Sequence, residues 1–368
     1  MKTVAILGTR GYPSFYGGFE TAVRKLAPYL ADHGWDVSVY GRPDVDHHTE
    51  AADARIERVI TKGINSQALS TLTYGFTSAL HAAWKKPDVV LVMNVANGFW
   101  LPFLKMRGIK TLVNVDGMEW ERAKWGMLAK KVFLLGARFT ARFADEIIVD
   151  AEAIGARWAA EFKRNGIFIP YGGDIPEVQS LEPGLIHRGY VLLVARFVPE
   201  NSIREFFESV PELARRWPVV IVGSSGFEGE FDSMAADLDT RYENVHWLGH
   251  LKDDSRLFSL WQHAGAYFHG HSVGGTNPAL VQAMACGAPT IARDTVYNRE
   301  VLNEAGAFVM AKSAEIVSEV SALLQDELRQ DALSEAAIMR ATEAYSWASV
   351  CSKYEAALEA MRVDVLSA

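Results

Sequence analysis

Several stretches of this 368-residue chain combine residue types that can bind an anion or steer a proton. Thr9-Arg10-Gly11-Tyr12-Pro13-Ser14-Phe15-Tyr16-Gly17-Gly18-Phe19-Glu20 is a long glycine-bearing loop between a strand-like run and helical text. Glycines let backbone N–H groups approach an anion, and a helix N-terminus adds partial positive charge; glycines as plain turn formers are the other reading. A dinucleotide fingerprint is absent. The first strand runs into Gly8-Thr9-Arg10-Gly11 instead of G-x-G-x-x-G, and the second ends Tyr40-Gly41-Arg42 without an acidic residue for a ribose. Arg196, just past another strand end, offers a fixed bidentate charge to a phosphate, or else a surface ion pair. Gly274-Gly275-Thr276-Asn277 opens a helix at Pro278, with exposed backbone N–H groups and proline at a favoured first-turn position. Asp116, beside Gly117 at the end of a buried-looking strand, either faces a ligand or caps the following helix. His269 and His271 resemble a metal pair, but no carboxylate stands beside them at ligand spacing, so no metal is expected.

The elements that must position these residues repeat one rhythm: a short β-branched run, a turn, then a longer helical pattern, which marks a parallel sheet with covering helices. Strands are expected at 3–8, 36–40, 56–59, 89–93, 111–115, 146–150 and 166–169, and a helix over 19–33 that stops at Gly34. Pro170-Tyr171-Gly172-Gly173-Asp174-Ile175-Pro176 and the polar stretch through Gly184 read as a linker. The rhythm then restarts with strands at 190–195, 219–223, 244–248, 266–269 and 289–292, and helices at 202–216, 255–263 and 278–286. The expectation is two Rossmann-like doubly wound α/β domains, 1–175 and 185–312, facing a central cleft at the strand carboxyl ends. A helical tail, 313–368, comes after them and could pack back on the first domain.

Composition narrows the class. Hydrophobic residues make up 49% and charged residues 22%, which is globular. A formal charge of −8 argues against general nucleic-acid binding. Two cysteines, Cys286 and Cys351, argue against a disulfide framework and for a reducing cytoplasm. The first strand leaves no room for a signal peptide, and apolar runs such as 87–93 fall short of the roughly 20 residues that span a bilayer. One segment departs from the negative average. Residues 120–143 carry Arg122, Lys124, Lys130, Lys131, Arg138 and Arg142 among Trp120, Trp125, Met127, Leu128 and Phe133. That composition suits a basic amphipathic helix touching an anionic membrane, or a helix with an apolar core face and a solvated charged one.

Ile6-Leu7-Gly8-Thr9-Arg10-Gly11 with Tyr16-Gly17-Gly18-Phe19-Glu20-Thr21 resembles the amino-terminal signature of a rhamnosyltransferase-like branch of the retaining family-four glycosyltransferases. Three further blocks agree: 114–120 (NVDGMEW), 194–201 (VARFVPEN) and 269–278 (HGHSVGGTNP). The resemblance implies a GT-B fold, a nucleotide-sugar donor held by the second domain, an acceptor held by the first, and no cofactor or obligatory metal. It puts Arg196 and the backbone of Gly275, Thr276 and Asn277 on the donor diphosphate, with Gly17 and Gly18 closing over it. Asp116 would position the sugar or acceptor, with Glu119 second to it, and the departing phosphate would take the acceptor proton.

The departures from the family pattern are Asn201 for a lysine and Gly274 and Gln282 for two glutamates. Gln282 can still bond ribose hydroxyls, and Gly274 suits a deoxy sugar such as rhamnose. The expected activity is therefore transfer from dTDP-rhamnose or a related donor to a lipid-linked or polysaccharide acceptor, in the cytoplasm at the inner membrane face. A nucleotide-sugar epimerase of the same plan and a non-catalytic polysaccharide-assembly subunit are the alternatives.

Overall fold

The computed structural model describes residues 2–14, 17–43, 52–65, 69–122, 125–226, 229–251 and 253–366, the last four of these by backbone alone. Phe15, Tyr16 and Lys124 therefore lie outside the described residues. The chain forms two units: Met1–Tyr171 with Trp347–Ala368, and Gly172–Ser346.

The first unit runs β1 (Lys2–Leu7), α1 (Gly18–Asp32), β2 (Trp35–Gly41), β3 (Glu57–Ile60), α2 (Ser70–Lys85), β4 (Val89–Met93), α3 (Leu101–Met106), β5 (Lys110–Asn114), α4 (Met127–Phe143), β6 (Glu146–Val149), α5 (Glu152–Phe162) and β7 (Ile167–Phe168). Its strands are all parallel, in the order β3-β2-β1-β4-β5-β6-β7. β4 is buried along its whole length. Strands covered on both faces read as continuous apolar runs, which is why this rhythm is visible in the sequence. α1 buries Ala22, Val23, Leu26, Ala27 and Leu30 as one stripe. It ends before Gly34, whose φ of +79° a glycine adopts without strain.

The second unit runs β8 (Val191–Val194), α6 (Ile203–Leu213), β9 (Val219–Val222), α7 (Glu230–Arg241), β10 (Val245–Trp247), α8 (Asp254–His263), β11 (Ala266–His269), α9 (Pro278–Ala285), β12 (Thr290–Arg293), α10 (Val296–Leu302), β13 (Gly306–Val309), α11 (Ser313–Leu324) and α12 (Glu327–Ala344). Its parallel order is β10-β9-β8-β11-β12-β13. α6 begins one residue later than its sequence pattern because Ser202 is left-handed, with φ +52°.

The helical tail divides. α11 packs on α6 and α12 on α9, both in the second unit, whereas α13 (Trp347–Leu366) packs on α1, β4 and β5 in the first. Trp347, Val350, Cys351, Tyr354, Leu358 and Met361 follow a helical stripe that joins the first unit's core. The linker is fastened inside the second unit, where Gly173 donates its N–H to the Tyr345 carbonyl at 2.8 Å.

Candidate functional site

In an open parallel sheet, ligands bind outside the carboxyl ends of strands where the strand order reverses. That point falls between β8 and β11 in the second unit and between β1 and β4 in the first.

At the second unit's switch point, Arg196 comes after β8 and is exposed, and its guanidinium makes no hydrogen bond or ion pair with any described residue. The ion-pair alternative for this residue is not what the structure has. Asn201 is only 7% exposed and its amide is committed within the protein. Nδ2 donates to the Arg196 carbonyl at 2.8 Å, and Oδ1 meets His271 Nδ1 at 2.7 Å. It ties the β8 and β11 exits together, so its side chain is a brace at the place where sequence reasoning set a ligand contact. Gly270 permits this approach: a Cβ there would lie 2.2 Å from the Asn201 carbonyl oxygen. Gly274, at φ +107°, and the buried Thr276 lead to Asn277, whose Oδ1 accepts the Ala279 N–H at 2.9 Å and caps α9 before Pro278.

Gln282 points to the linker. Its Oε1 accepts the Asp174 N–H at 3.0 Å and its Nε2 donates to the Asp174 carbonyl at 2.7 Å, so the amide expected to read a ribose is spent on the incoming chain.

Arg293 ends β12 and Asp294 comes directly after it, but the two do not pair with each other. Asp294 instead pairs with Arg299 at 2.5 Å, and Arg293 donates to Ser202 Oγ at 2.9 Å. His269 is 4% exposed, with Nδ1 3.0 Å from the Tyr267 hydroxyl, and burial pushes its pKa down to about 3. The rings of His269 and His271 are thus held by Tyr267 and Asn201. Asn298, missed in the sequence, holds the carbonyls of His271 and Arg293 at 2.8 Å each through one amide nitrogen.

In the first unit the sheet edge is strained and acidic. Gly8 has φ +89°, and a Cβ there would meet the Met93 carbonyl oxygen at 2.1 Å, so β1 and β4 exit in near contact. Asn94 after β4 and Asp116 just past β5 are left-handed, at φ +74° and +55°. Such backbone in a non-glycine residue persists where the surroundings hold it.

The hold on Asp116 is visible. Its N–H donates to Asn114 Oδ1 at 2.9 Å, and Asn114 Nδ2 donates to the Tyr354 hydroxyl of α13 at 2.7 Å. The next turn, Glu119–Glu121, begins after Met118 with no side-chain cap, so Asp116 does not cap it. Arg122, which the sequence placed on a basic surface, turns inward with 14% of its side chain exposed. It lies 2.5 Å from Glu119 and 3.8 Å from Asp116. Trp125 also donates to Glu119 at 2.9 Å. Glu119 is therefore buried in an Arg–Trp clasp.

Gly17 caps α1 and Gly18 opens it, while Glu20 in the first turn accepts the Arg10 N–H at 3.2 Å and folds the glycine loop back on the helix. Burial, then the charges of Asp116, Asp150 and Glu20, raise the pKa of the Tyr171 hydroxyl well above its usual range. Among the described residues no group of three or more His, Cys, Asp or Glu side chains is placed to hold a metal.

Residues 187–340 match the family model described as Glycosyl transferases group 1. That stretch is similar to group 1 glycosyl transferase domains. Arg196, Asn201, the 274–277 turn, Gln282 and Arg293 all belong to it. Asp116 and Glu119 fall in residues 1–174, which match a model described as a domain of unknown function, DUF1972.

The chain is 24% identical over 180 residues to O-antigen chain mannosyltransferase B of Escherichia coli, a stretch covering 47% of this chain and 46% of that relative. It thus spans under half the length of the curated relative it matches. Among solved structures it is similar to sucrose-phosphate synthase from Thermosynechococcus elongatus, with TM-score 0.80, 17% identity and coverage of 99% of this chain and 100% of that one. It is also similar to Anabaena HepE in complex with UDP, with TM-score 0.76, 15% identity and coverage of 98% and 100%. At these identities the likeness is one of fold, and the fold is the GT-B plan of two Rossmann-like domains joined to C-terminal helices.

Proposed function

We propose that the chain is a retaining glycosyltransferase that moves a sugar from a nucleotide-sugar donor to a lipid-linked or polysaccharide acceptor, with dTDP-rhamnose the first donor to test. The observation that carries this reading is the unpaired Arg196 at the switch point of the group 1 domain, beside the glycine turn that opens α9. As the anomeric carbon leaves the diphosphate oxygen, negative charge grows there, and a fixed guanidinium with the backbone N–H groups of residues 275–277 stabilises it. The acceptor oxygen bonds to that carbon on the same face, and its proton passes to the departing phosphate. Asp116, fixed by Asn114 and Tyr354, orients the sugar or acceptor hydroxyls, and Glu119 holds Arg122 beside it.

HepE bound to UDP and the O-antigen mannosyltransferase likeness support a nucleotide-sugar donor and a polysaccharide product. A panel of UDP-, GDP- and dTDP-sugars, scored for transfer, hydrolysis and epimerisation, tests the reading. Transfer from one donor with retained anomeric configuration is expected; epimerisation alone, or no turnover of any sugar nucleotide, would refute it.

We also propose that the first unit rests on the inner leaflet of an anionic membrane, where a lipid-linked acceptor would be met. No helix among the described residues is long and apolar enough to cross a membrane, so contact would be peripheral. α2, α3 and α4, which pack in sequence, contain no Asp or Glu, in a chain of net charge −8. They expose Trp84 at 74%, Met127 at 79% and Leu128 at 78%. Apolar residues among cations suit a headgroup layer, where each basic residue contributes about 1 kcal/mol. Flotation with anionic but not neutral vesicles, weakened by Lys130→Glu with Lys131→Glu, is expected; no binding to either vesicle would defeat this part.

A further inference from the structure

Among the described residues Arg196 is the single charged side chain that the β8 exit offers unpaired, since the neutral amide of Asn201 is used up by the Arg196 carbonyl and His271. We infer that Arg293 is the second diphosphate-binding cation of the donor site, aimed by Ser202. This rests on the transferase reading above and adds a residue to it.

Three observations place Arg293 there. It ends β12, whose neighbour β11 borders the switch point, and the pairing of His269 with Ala292 sets Arg293 level with Gly270 at the sheet edge. Its guanidinium donates to Ser202 Oγ at 2.9 Å, and that hydroxyl donates onward to the Gly270 carbonyl at 2.8 Å. Ser202 is fully buried, left-handed and next to Asn201, so it presents Arg293 to the turn that carries Arg196.

Its charge is also left over. The adjacent Asp294 is taken by Arg299 in two bonds at 2.5 and 2.8 Å, and Arg293 forms no ion pair with any described carboxylate. The Asn298 amide pins the Arg293 carbonyl, so the side chain leaves from a fixed backbone. Arg196 and Arg293 thus stand at the same end of one sheet, at the exits of the strands that flank β11, with no counter-ion among the described residues. A ligand with two linked phosphates offers each cation a partner, and one phosphate offers fewer.

Calorimetry of wild type, Arg293→Gln, Arg293→Lys and Arg196→Ala with UDP, dTDP and GDP, each against its monophosphate, tests this. For the diphosphate that wild type binds, Arg293→Gln should weaken affinity by about tenfold to a hundredfold, the scale of one lost charge-assisted hydrogen bond. The monophosphate should lose much less, so the diphosphate-to-monophosphate affinity ratio falls, and Arg293→Lys should recover part of it. A structural role alone would weaken both nucleotides alike. An unchanged ratio in Arg293→Gln, while Arg196→Ala weakens binding, would overturn the inference and leave the transferase reading standing. Should Arg293→Gln fail to fold, Arg293→Met takes its place, and an unchanged ratio there overturns the inference equally. Failure of wild type to bind any diphosphate would overturn both.

Discussion

The two sheet edges are built on the same topology with opposite charge. After β8 and β12 the second unit presents Arg196 and Arg293 with no carboxylate partner among the described residues. Around the β1, β4 and β5 exits the first unit gathers Asp116, Glu119 and Glu20, with Arg122 already neutralised against Glu119. A diphosphate needs uncompensated positive charge, whereas sugar and acceptor hydroxyls need acceptors held at fixed angles. Under the proposed transfer one strand order serves both, because function is set by the residues at each strand's exit and not by the sheet.

The edges also differ in what supports them. The second is braced from within its own unit by Asn201, Ser202 and Asn298. The first depends on α13, which arrives from the far end of the chain and reaches Asp116 through Tyr354 and Asn114.

The largest expected effect separates the units on that ground. A chain ending at Ser346 should lose hydrogen-exchange protection throughout β1–β7 while β8–β13 stay protected. Each large side chain removed with α13 is worth about 1.5–3 kcal/mol of burial, against about 5–15 kcal/mol for a whole domain. Retained protection in β1–β7 would show that the first unit does not need its returning helix.

Next in size is the acid response of the second edge. His269 has its pKa lowered by burial from 6.5 to about 3, so the unfolded chain binds more protons than the folded one between those values. The stability this contributes is whole above pH 6.5 and is lost progressively as pH falls toward 3. Its full extent is a few kcal/mol. Denaturation midpoints at neutral and acid pH should therefore fall further for wild type than for His269→Asn. Parallel losses would mean that other groups set the acid limit.

A smaller effect probes the prop on Asp116. Tyr354→Phe removes one buried hydrogen-bonding hydroxyl, for about 1 kcal/mol of stability. It should lower transfer several-fold with donor binding unchanged. Equal loss in both would make Tyr354 a part of the general core.

The sequence made the strands through β12 legible because two-sided burial writes continuous apolar runs, and Arg196 was legible because it comes directly after such a run; β13 and the strand orders came from the structure. Asn201, Gln282 and Glu119 were not. Their partners are carbonyls, amides and rings brought by folding, as with Gln282 and Asp174, and residue type alone does not say whether an amide faces a ligand or a backbone. The division of the tail was hidden for a related reason: the stripe on α13 announces a buried face but not which core it covers. Basic residues in 120–143 looked alike, yet Arg122 turns inward while Lys131, Arg138 and Arg142 stay exposed.

The opposition of the two edges is tested most directly by titrating the nucleoside diphosphate product into Arg196→Ala and Asp116→Asn and measuring turnover of both. Arg196→Ala should lower turnover by about tenfold to a thousandfold and weaken product binding with it. Asp116→Asn should lower turnover while product affinity stays within about twofold of wild type, because the first unit's edge acts on hydroxyls and not on phosphate. Product affinity that falls with Asp116→Asn, or that survives Arg196→Ala unchanged, would contradict it.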